Sequence, residues 1–349
     1  MKSKLYTILA CLLLIGLTTA YFFISREREL RRYNAKAAAA KVASVETKTS
    51  TSLSSSSSIP PADSDSILLI NTGDMMFDRA VRARMAKGID PFAHMDDIKS
   101  EIQDDFGLPI DVTIANLEGP ITDAAVCQKK AYSFKFASTT GDMLRENGID
   151  IVSLSNNHSF DCFAQGVVDT RKNLTTARVG FMGGGGDINN SVYIKTIKGK
   201  SFAFVGIDET VRPIPIEDFY PFIQNLAAQH DAVIVNIHWG VEYQKQPTSS
   251  QKSIGHKLID SGAIAVIGHH PHVTEPFELY NGGVIYYSLG NFIFDQVGVE
   301  ENKGGVAAIH FDIGKGSGAN AKTISISDAK MLPVQIVNSV PCGVSCTHE

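Results

Sequence analysis

Five short apolar runs, most ending in a polar turn with glycine, limit how this chain can fold: ILLINTGD, TIANLEG, DIVSLSNNH, AVIVNIHWG and AIAVIGHH. Runs of about four to eight apolar residues bounded by turn signals read as strands buried on both faces. Amphipathic stretches such as GVVDTRKNLTTA and SQKSIGHKLIDSG lie between several of them. That alternation predicts an α/β domain with much of its central sheet buried. Later the pattern turns to hairpins, VYIKTIKGKSFAFVGI folding back at Gly199 and FELYNGGVIYYSLGNFIF at Asn281-Gly282. A mixed sheet or two stacked sheets, with helices outside, is the expected architecture.

Ahead of this domain the chain carries LYTILACLLLIGLTTAYFFI, Leu5 to Ile24, without a single charge. A helix needs about 20 apolar residues to cross a bilayer. Residues 1–24 therefore read as an uncleaved signal anchor, an N-terminal transmembrane helix, with a signal peptide cut near Ala20 as the alternative. Residues 25–66 read as a charged juxtamembrane helix followed by the spacer TKTSTSLSSSSSIPPADSDS, too poor in apolar side chains to order itself. The folded domain is expected over residues 67–332, with 333–349 as a C-terminal tail. Lysines flank one side of the anchor and arginines the other, so charge alone does not set its orientation. A short anchor before a large domain favours export, which predicts a single-pass membrane protein with its folded domain extracytoplasmic. The formal net charge of −5, with no basic run in the folded part, argues against nucleic acid as a partner.

Of five cysteines, Cys11 falls in the anchor. The remaining four allow three pairings in an oxidising compartment. Cys342 and Cys346 are close enough for a local bridge, and Cys127–Cys162 would then close a longer loop. In a reducing compartment all four would be free thiols.

Functional groups in open α/β sheets gather at the carboxyl ends of strands. Here those ends carry Asp74, Glu118, Asn157 with His158, His238, and His270 with His272. A lone aspartate after a glycine is more often a turn or a helix cap, and a lone strand-end histidine is more often structural. The series is harder to explain so blandly. Carboxylate, amide and imidazole together suit one or two divalent transition ions such as manganese, iron or zinc. In GHHPHV, Pro271 disfavours the helical region for His270. An extended segment is expected, placing His270 and His272 on one side and leaving His269 to support the strand end.

Together GDMMFDR, ANLEGPIT, SLSNNHSFD, HWGVEY, IGHHPHV and YSLGNFIFD resemble the CapA family of poly-γ-glutamate capsule biosynthesis proteins, within the calcineurin-like metallophosphoesterase superfamily. The resemblance runs from about Ile67 to about Asp295. It implies a four-layer α-β-β-α sandwich and an exported, anchored domain. It also implies roles: Asp74 and His272 on a first metal, Glu118 bridging, Asn157, His238 and His270 on a second, and His158 as general acid. Met76 stands where the superfamily usually has a histidine, which weakens the first site. Cys162-Phe163 stands where a tyrosine-glycine turn is usual.

Further candidates are Arg79, as an anion clamp or an ion-pair partner, and Glu242, as an acceptor orienting His238 or a lysine's partner. Asn291 and Asp295 are expected to line the cleft. Lys135 reads more readily as solvated than as a substrate contact, and FMGGGGD as a turn rather than an anion cradle. The expected function is metal-dependent hydrolysis of a phosphoester, or of the amide bond of polyglutamate, in capsule synthesis or export. The implied partners are an anionic polymer or phosphoester, the membrane, and membrane-bound capsule synthesis proteins. A non-catalytic polymer-binding subunit and an envelope phosphoesterase unrelated to polyglutamate are the alternatives.

Overall fold

The computed structural model describes residues 65–314 and 324–343. The expected anchor, most of the spacer and Cys346 lie outside the described residues. Among the described residues, no helix is long and apolar enough to cross a membrane.

Strand alternation builds the domain. In β1 (Ser66–Met75), Leu68 and Ile70 enter one apolar cluster while Ile67 and Leu69 enter another on the opposite face. In β6 (Lys200–Asp208), Phe202 and Phe204 join that second cluster, and Ala203, Val205 and Ile207 join a third. Successive side chains on a strand point to opposite faces, so each strand serves two cores. The fold is mixed α/β.

The strands form two sheets. In the first, β1, β2 (Val112–Leu117), β3 (Ile151–Ser153) and β4 (Gly180–Met182) are parallel. Its other half, β12 (Lys303–Ile313), β13 (Ile324–Val337) and β14 (Val340–Cys342), is antiparallel. In the second, β6, β7 (Ala232–His238), β8 (Ala265–His269) and β10 (Gly283–Leu289) are parallel. The hairpin partners β5 (Val192–Ile197) and β9 (Thr274–Tyr280) form its edges. The strand orders are β14-β13-β12-β1-β2-β3-β4 and β5-β6-β7-β8-β10-β9.

The second cluster, with Val112, Phe204, Ile234 and Tyr286, fills the space between the sheets. Helices cover the outer faces. Val81 of α1 (Arg79–Met85), Ile98 and Ile102 of α2 (Met95–Phe106), Leu144 of α3 (Thr140–Glu146) and Leu174 of α4 (Phe163–Ala177) pack with the first sheet. Ile223 of α5 (Ile216–Gln229) and Leu258 of α6 (Ser249–Asp260) pack with the second.

Two details differ from the sequence reading. The boundary at residue 332 falls inside β13, and Gln335–Val337 pairs with β14, so residues 333–342 complete the first sheet rather than forming a tail. The strand leading into GHHPHV is Ala265–His269, two residues further along than the apolar run suggested.

At Gly290 the chain leaves β10 in the second sheet and enters β11 (Asn291–Ile293), which pairs in parallel with β1 in the first. A Cβ at Gly73 would lie 2.2 Å from the Gly290 carbonyl oxygen, so only glycine allows this approach. Asp74 then donates its backbone N–H to Gly290 at 2.9 Å.

Candidate metal centre

The parallel strands of both sheets deliver their carboxyl ends to one place. Asp74 lies in β1, Glu118 follows β2, Asn157 and His158 follow β3, His238 ends β7, and His270 and His272 follow β8. Asp74, Glu118 and His238 place ligand atoms within 4.8 Å of one another, as do Glu242, His270 and His272.

The two carboxylates are treated very differently. Both are fully buried. Asp74 Oδ1 accepts from Asn116 Nδ2 at 2.9 Å and from His269 Nδ1 at 3.1 Å, and Oδ2 from the His270 backbone N–H at 3.3 Å. His272 Nδ1 stands 3.4 Å from Oδ2. Burial alone would raise the Asp74 pKa, but the hydrogen bonds from His269 and His272 win and hold it well below the ordinary range. Neither oxygen of Glu118 has a hydrogen-bond partner. Burial pushes its pKa well above the usual value, His272 opposing and Asp74 adding to the rise.

A buried carboxylate without a donor is costly unless a proton or a cation meets it. His238 Nδ1 and His270 Nδ1 are likewise buried without partners. These orphaned acceptors around an unsatisfied carboxylate fit a divalent ion. His238 Nε2 lies 3.0 Å from Asn157 Oδ1, bringing two of the expected ligands of one ion together. His272 Nδ1 faces Asn291 Oδ1 at 3.0 Å, which fixes the ring and leaves Nε2 facing Glu118 Oε1 at 3.7 Å. Burial would lower the His272 pKa, yet the Glu118 and Asp74 carboxylates raise it to about 9. Burial, reinforced by His272, lowers that of His270 to about 4.

His158 stands beside this cluster. Its Nδ1 donates to Asp161 Oδ2 at 2.7 Å, and Nε2 lies 3.8 Å from Glu118 Oε1. Asp161 in turn pairs with Lys130, and Phe134 stacks on the imidazole with centroids 4.1 Å apart. Burial lowers the His158 pKa against the hydrogen bond to Asp161. The segment carrying Lys130 and Phe134 is bridged by Cys127 to Cys162, adjacent to Asp161.

Two sequence expectations need correction, the extended corner and the contact of Glu242 with His238. His270 has φ 100° and His272 φ 58°, so the corner is not extended. Its two histidines reach the cluster through left-handed backbone, held by Asp74 beneath and by the Tyr243 N–H donating to the Pro271 carbonyl at 2.8 Å. Glu242 does not orient His238; it groups with His270 and His272. His269 Nδ1 lies 3.1 Å from Asp74 Oδ1. Met76 is fully buried, and its sulfur accepts from the Asp78 N–H at 3.0 Å. Arg79 is engaged by Asp295, its Nε at 3.1 Å from Oδ2, and its guanidinium lies 5.0 Å from the centroid of the Phe134 ring. Lys135 Nζ donates to the Ala124 carbonyl at 3.2 Å within its own loop. Gly183 and Gly184 have positive φ in a turn whose carbonyl at Gly183 accepts from Arg171 at 2.7 Å. The sequence reading missed Lys130, which nothing in local spacing marks, and gave Asp161 no role, although its place three residues after His158 was a usable signal.

Two packed sheets flanked by helices, with imidazoles and carboxylates converging from the strand ends of both, define the class: an α/β protein with a candidate metal centre between its sheets. The chain belongs to the bacterial capsule synthesis protein PGA_cap family, whose model matches residues 68–296. It is 30% identical over 243 residues to the PGA biosynthesis protein CapA of Bacillus subtilis (strain 168), covering 64% of each chain. To the capsule biosynthesis protein CapA of Bacillus anthracis it is 32% identical over 173 residues, covering 44% of this chain and 42% of that one. The matches thus span less than two thirds of either relative. Among solved structures, a hypothetical protein from Thermus thermophilus is similar with a TM-score of 0.48 and 19% identity, over 77% of this chain and 99% of that one. The NAD nucleotidase NadN of Haemophilus influenzae is similar with a TM-score of 0.47 and 10% identity, over 80% and 53%.

Proposed function

We propose that this protein is a calcineurin-like, metal-dependent hydrolase of capsule synthesis, anchored in the membrane with its domain outside the cytoplasm. Its substrate would be a phosphoester or the amide bond of poly-γ-glutamate. The observation that carries the reading is Glu118, buried without a hydrogen bond beside His238, His272 and His158, with His270 packed on His238. Asp74, Glu118, Asn157, His238, His270 and His272 would hold one or two ions. Such ions, when bound, polarise the scissile group and supply a nucleophile at neutral pH.

The chain's own residues do the rest. Asp161 fixes the Nδ1 proton of His158, so proton exchange with the reacting group occurs at Nε2. Phe134, stacked on the ring, keeps water from its face. Asn291 holds the His272 ring by Nδ1, and His269 and His272 keep Asp74 ionised.

A second reading, a polymer-binding subunit that keeps the centre for structure, draws support from Met76 in the core and from the hydrogen-bonded state of Asp74. Metal analysis of the full chain in detergent, paired with assays on an aryl phosphate and on poly-γ-glutamate, separates these readings. Bound transition metal with turnover that His158→Ala abolishes supports the hydrolase. Metal and polymer binding without turnover supports the subunit, and phosphatase activity indifferent to polymer points to envelope chemistry of another kind. Protease added outside intact cells should trim the serine-rich spacer; protection there would overturn the exported topology.

A further inference from the structure

Met76 leaves the first site short of its usual ligand, and a carboxylate with no role so far lies against two histidines of the centre. Met76 is committed to the core beside Phe77, with its sulfur on the Asp78 N–H, and cannot turn to the cluster without unpacking that core. On the opposite side, Glu242 offers an oxygen within 4.8 Å of the ligand atoms of His270 and His272. It is the exposed member of that trio, so it stands at the mouth of the centre.

Its placement is built. The loop after β7 is held at its start by Gly240, whose φ of 82° and contact with buried Gln251 leave no room for a side chain. It is held in the middle by Tyr243, whose backbone N–H donates to Pro271, between the two histidines, and whose hydroxyl accepts from Gln296 at 3.1 Å. Lys245 ties its end to Glu300 at 3.1 Å. Ties on both sides of Glu242 keep a surface carboxylate over His270 and His272, although it forms no ion pair with a lysine or arginine among the described residues.

We infer that Glu242 is a metal ligand, closing with His272 the site that lacks the usual histidine at position 76. This rests on the metal-centre reading above. The donor set then changes character, an oxygen replacing an imidazole nitrogen, which moves the preference of that site from zinc toward manganese or magnesium. Because the carboxylate comes from the solvent side, this ion would be the more readily exchanged of the two.

The test is metal content and affinity of the full chain, by elemental analysis and by titration of the chelator-stripped protein with Mn²⁺ and Zn²⁺. The wild type should take up two ions. Glu242→Gln should lose one, with the other ion and the circular dichroism unchanged, whereas a weakening of only about 10- to 100-fold would mark Glu242 as a support of the ligands and overturn the assignment. Glu242→His should recover the site with its preference shifted toward Zn²⁺. Two ions held equally tightly by wild type and Glu242→Gln would overturn the assignment while leaving the centre intact. A wild type that binds no metal would instead overturn the proposed function.

Discussion

Asp74 and Glu118 lie in the same buried cluster, yet the first has donors on both oxygens and the second has none. The pair divides the work: one carboxylate is kept ionised by the protein, and the other is left for something the protein does not supply.

Metal-stripped protein should therefore be strained at Glu118. Its folded-state pKa is raised, so the folded state holds the proton longer than the unfolded chain, and stability is lost as pH rises above the ordinary carboxylate range. Glu118→Met should melt higher than stripped wild type at pH 8, with a smaller difference at pH 5. It should also lose the rise in melting temperature that Mn²⁺ gives the wild type. Thermal scans at both pH values decide this.

His158→Asn should reduce turnover by about 10²- to 10⁴-fold, the usual range for a positioned acid–base group. Metal content should stay at the wild-type level, since Nε2 faces Glu118 at 3.8 Å beside the ligand set. Asp161→Asn should cost less and shift the pH–rate profile, because it releases the Nδ1 proton without removing the ring. Equal loss of metal and activity in His158→Asn would make it a ligand instead.

The Cys127–Cys162 bridge closes a segment of 35 residues. Loop-closure entropy over that length corresponds to about 3 to 4 kcal/mol. The double variant Cys127→Ser/Cys162→Ser should lose stability of that order in urea. It should also lower turnover, since the bridge holds the segment that brings Lys130 and Phe134 to Asp161 and His158.

Glu275 supplies a pH test away from the ligands. Burial raises its pKa to about 7, against the hydrogen bond from Gln251. Folded and unfolded chains are both protonated below about pH 4, so its cost is absent there. It grows as pH rises through about 7, and stability falls across that window. Glu275→Gln should leave the melting temperature unchanged at pH 4 and raise it at pH 8. A variant that melts lower at pH 8 would refute this account.

Much of the fold was written in local pattern. The apolar runs ending at Asp74, Glu118, His238 and His269 are strands, and parallel pairing brings their ends together. The GHHPHV corner was less legible. Pro271 excludes the helical region for His270 but does not choose between extended and left-handed backbone; contacts from Asp74 and Tyr243 made that choice. Glu242 was no more legible, because nothing within HWGVEY marks that it groups with His270 and His272 from another strand end. Lys130 reaches Asp161 across a loop whose path depends on the disulfide, information that no short motif holds.

The passage of the chain from one sheet to the other at Gly290 bears on how the molecule matures. Glu118 and Asn157 arrive from the first sheet, His238 and His270 from the second, and the crossover follows all of them in the chain. A nascent chain halted before Gly290 would present both strand sets without the joint that seats Asp74 against them. Ion uptake would then mark the end of maturation rather than guide its early steps, and an incompletely made copy would carry no half-strength centre.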